Sequence, residues 1–147
     1  MENTRLPIRI LPMDCKGEFT ECHSIKELQE NFFLRVFPRR TDGEYRYHES
    51  GLQATTGTIV LFQSGGAIVA SATLNDVRRF GEPDNAHYNG ALYFDVSSIR
   101  IFEPVTLAAV QNIWPKIKRL GHVKWKLNPD GYVAFARELK GIKTPAM

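Results

Sequence analysis

Apolar and polar residues alternate through residues 6–13, LPIRILPM, between Pro7 and Pro12, and predict a first strand. The pattern then changes period. Across CHSIKELQENFFLRVF, residues 22–37, Ile25, Leu28 and Phe32 fall on one helical face, with Ser24 as N-cap and Glu27 three residues on as a capping box. This helix is expected to stop before Pro38. Residues 39–51 read as a polar loop turning at Asp42 and Gly43, in which Tyr45 and Tyr47 alternate as a short exposed strand. Residues 58–62, TIVLF, form a near-continuous apolar run, the pattern of a strand covered on both sides. Residues 67–74, AIVASATL, pair back with it across Ser64, Gly65 and Gly66. The small residues Ala70, Ser71 and Ala72 admit close approach of another backbone.

Residues 75–90 are polar and glycine-containing and read as a long loop, the kind that often carries function. The next segment, residues 91–102, is the longest strand signal. Leu92, Phe94 and Val96 lie on one face and Tyr93, Asp95 and Ser97 on the other, with Pro104 as the end. A short helix is expected from near Thr106 to Pro115, a brief strand through Val123, Trp125 and Leu127, and a last helix capped by Asn128, opened by Pro129 and faced by Tyr132, Phe135 and Leu139. Residues 141–147 read as a frayed tail. The order predicts an α+β fold: a small, mostly antiparallel sheet that curls into a barrel, with short flanking helices.

Length and composition sharpen this picture in two ways. A chain of 147 residues, 43% hydrophobic and 24% charged, fits one domain spanning 1–147, either alone or as one module of a larger protein. No apolar run approaches the roughly 20 residues that span a bilayer, and Arg5, Pro7 and Arg9 interrupt any signal-peptide core, so a cytoplasmic protein with no membrane partner is expected. Two cysteines, Cys15 and Cys22, suit reduced thiols better than a disulfide framework. With His23 and His48 they match no metal-binding spacing, so no metal and no cofactor are expected.

Net charge is only +3, but the cations are unevenly placed. Arg35, Arg39, Arg40 and Arg46 share one segment, Arg78 and Arg79 another, and Lys116, Lys118, Arg119, Lys124 and Lys126 a third. Such islands are either solvated faces or a polarised surface that meets phosphates. Aromatics lie among them. Tyr45 and Tyr47 neighbour Arg39, Arg40 and Arg46, and Trp125 stands between Lys124 and Lys126, although it also alternates as a buried strand residue would.

A strand ending VLFQSGG, its small-residue partner AIVASATL, and the later segment YFDVSSIRIFEPV resemble the PUA-like superfamily, nearest its EVE and ASCH branches. Gly57 and Phe62 match the hairpin's glycine and aromatic anchors, and Gln63 with Ser64 match its polar pair. Thr58 departs from the usual acidic residue. LNPDGYVAF resembles the opening of the last helix of these domains. The resemblance implies a small β pseudo-barrel that holds one base, often modified, in a pocket. In EVE-type modules of bacterial restriction systems that base is a modified cytosine flipped from duplex DNA; in eukaryotic relatives it is methyladenine in RNA.

Such a pocket needs stacking faces, donors and acceptors for a base edge, and cations for the flanking phosphates. The candidates for the base are Phe62, Gln63, Ser64, Tyr88, Tyr93, Asp95, Tyr45, Tyr47 and Trp125. Those for phosphates are Arg39, Arg40, Arg46, Arg78, Arg79, Lys124 and Lys126. The expectation is a non-catalytic reader of a modified base in DNA, with RNA as the competing ligand and a nuclease or GTPase as partner domain or subunit. The ASCH branch also contains small amidohydrolases acting on acetylated cytidine, but their lysine, threonine and glutamate are not found at matching positions. A protein-interaction module is the third class, served equally by aromatics exposed at residues 45–47.

Overall fold

The computed structural model describes residues 8–12, 24–47, 55–79, 90–118, 126–127 and 129–145. Among the described residues six strands form one sheet in the order β2-β5-β4-β3-β1-β6. They are β1 (Ile8–Pro12), β2 (Glu44–Tyr47), β3 (Ile59–Ser64), β4 (Ala67–Arg79), β5 (Gly90–Thr106) and β6 (Lys126–Leu127). Only β1 and β3 run parallel; the other four pairings are antiparallel. The fold class is therefore the expected α+β with a mostly antiparallel sheet.

Both faces of the sheet are covered, and β3 shows why. Val60 and Phe62 join one apolar cluster, while Leu61 joins the other. On the first face lies a helix that changes character along its length. Ser24 caps it, its hydroxyl accepting from the Glu27 amide at 3.1 Å. One α-turn, α1 (Ile25–Glu27), then widens into a π-helix, Leu28–Val36, and tightens into a 3-10 turn, Phe37–Arg39. Pro38 thus sits inside the final turn rather than beyond the helix, and the i to i+5 bonding ends just before it, at the Phe37 amide. The Phe37 amide donates to the Phe32 carbonyl, an i to i+5 bond that brings the two residues together. Their rings stack 5.0 Å apart and 14° from parallel. Phe33 also points inward, so three rings of this segment reach the core.

The second face carries α2 (Leu107–Ile113) and α3 (Tyr132–Glu138). Thr106 caps α2 by accepting from the Ala109 amide. Val110, Trp114 and Phe135 pack there with Ile8, Ile10, Ile68 and Phe102, and Tyr132 and Leu139 flank them.

Three sequence expectations change. Residues 75–79 are strand, not loop: β4 continues to Arg79, opposite Gly90. Asn75, Asp76 and Arg78 face solvent, which hides the strand from a reading based on apolar alternation. Strand β5 runs past Pro104 to Thr106, because the pairing with β4 is interrupted there and no ladder bond needs the missing N–H. The C-terminal segment is bound rather than frayed through residue 145. Ile101 and Lys143 exchange two backbone hydrogen bonds of 2.9 Å, the Glu103 amide donates to the Lys140 carbonyl, and Pro145 is buried. Cys15, Cys22, His23, His48 and the loop around Tyr88 lie outside the described residues. No helix among those described is long and apolar enough to cross a membrane.

Candidate nucleic-acid interface

The β3–β4 hairpin turns on Gly65 and Gly66, at φ of 60° and 79°. Two consecutive left-handed residues make the tight turn whose twist suits the flanking strands, and glycine adopts it without steric cost. Just before the turn, the β3–β4 register shifts between Phe62 and Gln63. The extra residue is Val69 on β4, so β3 keeps its alternation through Gln63 and Ser64. Gln63 and Ser64 end up half-buried, and among the described residues neither side chain makes a hydrogen bond. A carboxamide and a hydroxyl held in place with their donors and acceptors unspent are what reading a base edge requires.

Phe62 does not share this position. It is 0% exposed and packs against Phe33, Phe94, Tyr45 and Phe37 at 5.0, 5.3, 5.6 and 6.2 Å between ring centroids. Tyr45, expected on an exposed strand, is 4% exposed in the same cluster. Both fall on the sheet face that the π-helix covers. Neither offers a surface for a base to stack on, and that part of the expected pocket is corrected: these rings build the core.

The far end of β4 carries a second group. Tyr93 on β5 lies opposite Glu44 of β2 on one side and Asp76 of β4 on the other. Its half-buried ring donates its hydroxyl to Glu44 Oε2 at 3.2 Å, and the Arg78 guanidinium sits 5.1 Å from the ring centroid. Arg78 also meets Asp76 at 3.3 Å, an exposed pair of small worth in stability. Arg39 is exposed nearby in sequence.

Two other candidates have structural duties instead. Asp95 Oδ1 accepts from the Ser97 amide at 3.0 Å and from the Ser97 hydroxyl at 2.6 Å. The Ser98 hydroxyl donates to the Asp95 carbonyl at 2.6 Å and accepts from the Thr73 amide at 2.7 Å. These bonds satisfy the backbone where β4 and β5 slip in register, so Asp95 shapes a bulge rather than standing open to an amine. Arg40 lies over the Phe32 ring at 5.1 Å and donates to the Glu44 carbonyl, which ties it to the start of β2. Arg46, Tyr47, Arg79 and Lys126 occupy strand positions, but their side chains are outside the described part. Tyr88, Lys124 and Trp125 are outside it altogether.

The candidates therefore fall into two stations, not one pocket. Gln63 and Ser64 mark the hairpin. Tyr93, Arg78 and Glu44 mark the opposite end of β4, and Arg78 lies eleven positions beyond Ala67, up to roughly 35 Å at the usual rise.

No protein-family model matches the chain, and no curated protein does. Among solved structures, the crystal structure of ASCH from Zymomonas mobilis matches with a TM-score of 0.57, over 95% of this chain and 98% of that one, at 7% sequence identity. The chain has an ASCH-like fold. At so low an identity the likeness concerns backbone architecture, and it agrees with the fold implied by the resemblance from Gly57 onward.

Two buried polar residues of this ASCH-like fold escaped the sequence reading. Gln29, in the π-helix, is 8% exposed and donates from Nε2 to the Val69 and Phe102 carbonyls at 2.9 and 2.6 Å. Its signal was a polar residue four positions after Ile25 and three before Phe32, on an otherwise apolar face. Arg9, on β1, is 7% exposed, and burial pushes its pKa down from the usual arginine value. An arginine so shifted still carries its charge at neutral pH, so the sheet holds a permanent buried cation.

Proposed function

We propose that this chain is a nucleic-acid-binding module that reads a base at the β3–β4 hairpin. One observation carries the reading: Gln63 and Ser64 stand beside a tight two-glycine turn, their side chains making no intramolecular hydrogen bond among the described residues, in a fold of the ASCH type. Gln63 and Ser64 are half-buried, so their polar atoms reach water and are open to exchange it for a ligand. A pair left open at a fixed turn is ready for a ligand that brings both donors and acceptors, as the edge of an unpaired base does. Arg78 over Tyr93, with Arg39 exposed, supplies a cation and an aromatic face for the strand beyond that base.

The favoured ligand is DNA carrying a modified base, the setting of a modification-dependent restriction specificity domain, and the role is binding rather than catalysis. Unstacking a base costs a few kcal/mol, least where pairing is already weakened. The test is a fluorescence-anisotropy titration over plain, methylated and hydroxymethylated duplexes and a matched RNA set. Tighter binding to one modified duplex, lost in Gln63→Ala, is the expected result. Preference for the RNA set moves the reading to RNA. Equal, salt-insensitive binding to every probe overturns it.

A further inference from the structure

We infer that Gln29 is a positioning residue for the hairpin that carries Gln63 and Ser64, an inference whose functional half rests on the base-reading proposal above. The pairing of β4 with β5 is broken close to the turn. Ile68 lies opposite Val105 and Ala70 opposite Ile101, so Val69 alone faces Phe102, Glu103 and Pro104. A break of this size leaves backbone carbonyls outside the ladder, and buried carbonyls need donors. The two that Gln29 serves, Val69 and Phe102, lie one on each side of the break. Since both partners are carbonyls, only the NH2 end of the carboxamide can serve them, and its two hydrogens match two acceptors. The outer side of the same break is held by the Glu103 amide donating to Lys140.

Gln29 does more than fill a gap, because its helix also runs close to the turn. A Cβ placed on Gly65 would lie 3.3 Å from Ile25 Cδ1. Ile25 and Gln29, four residues apart, thus meet the hairpin at Gly65 and at Val69, also four apart. One contact is apolar and adjustable; the other is a pair of directional hydrogen bonds. Together they fix where residues 63–69 sit against the helix, and Gln63 and Ser64 inherit that placement.

Hydrogen–deuterium exchange on the full chain, with the titration above, tests this using Gln29→Met and, as a control in the same helix, Leu28→Ala. Methionine keeps the length and removes the donors. The expected result for Gln29→Met is at least tenfold faster exchange at amides 66–70 relative to amides 107–113 of α2, with base preference falling to within threefold. Leu28→Ala is expected to raise exchange on both segments alike and to keep the preference at concentrations where it is folded. Uniform exchange in Gln29→Met, matching the control, overturns the inference. So does an unchanged base preference in Gln29→Met when the wild type shows one. If the wild type shows no preference, the base-reading proposal fails, and local against uniform exchange alone decides the role of Gln29.

Discussion

Phe62 and Gln63 are chain neighbours with opposite fates, and mutation separates them. Phe62 touches four rings inside the core, so Phe62→Ala removes a large buried side chain and leaves a cavity. Its expected cost is about 3–5 kcal/mol, read from the midpoint of urea unfolding without ligand. Gln63→Ala removes no intramolecular hydrogen bond among the described residues and is expected to change stability by less than about 0.5 kcal/mol. Its effect belongs to binding, where a lost bidentate base contact is worth about 1–3 kcal/mol of discrimination. The sequence could not separate these two residues. An aromatic followed by a polar pair at a strand end looks the same whether the ring faces solvent or a helix. The helix that decides it is a π-helix, whose wider repeat leaves no clear mark in the spacing of Ile25, Leu28 and Phe32. The cap at Ser24 was legible, because a cap is settled within three or four residues of chain.

At the scale of elements, the hairpin and the C-terminal segment each depend on the backbone. Gly66 has open space around it, so Gly66→Ala pays only for its left-handed conformation, about 1–2 kcal/mol. Gly43 shares that conformation, but a Cβ there would collide with the Phe94 carbonyl, so Gly43→Ala is expected to lower the melting temperature further than Gly66→Ala. A differential scanning measurement on the two variants checks the order. The two-sided burial of β3 was visible in TIVLF, whereas the length of β4 was not, since Asn75, Asp76 and Arg78 are exposed strand residues held by pairing with β5. The same holds for the tail. Its three backbone hydrogen bonds to β5 use no side-chain pattern at all. Deleting residues 140–147 removes them, at about 1 kcal/mol each, and bares part of a strand edge. The truncated chain is expected to unfold at lower urea concentration and to self-associate in light scattering, while the full chain does not.

For the whole molecule, the decisive quantity is the separation of its two stations. A base seated at Gln63 and Ser64 lies as much as roughly 35 Å along β4 from Arg78, and duplex DNA advances about 3.4 Å per base pair. One station fits a very short ligand, but both together need on the order of ten base pairs. If Arg78 and Arg39 hold phosphates, each contact releases counterions, and the slope of log K against log salt steepens by about one for each phosphate neutralised. The slope should therefore grow with duplex length and level off near ten base pairs. Arg78→Ala should flatten it by about one on long duplexes and leave it unchanged on duplexes of four or five pairs centred on the recognised base. Gln63→Ala should lower affinity for the preferred base at every length without altering the slope. A slope independent of length, with Arg78→Ala equally harmful on short and long duplexes, would mean that the two stations meet the same few nucleotides and that the curvature of β4 brings its ends together.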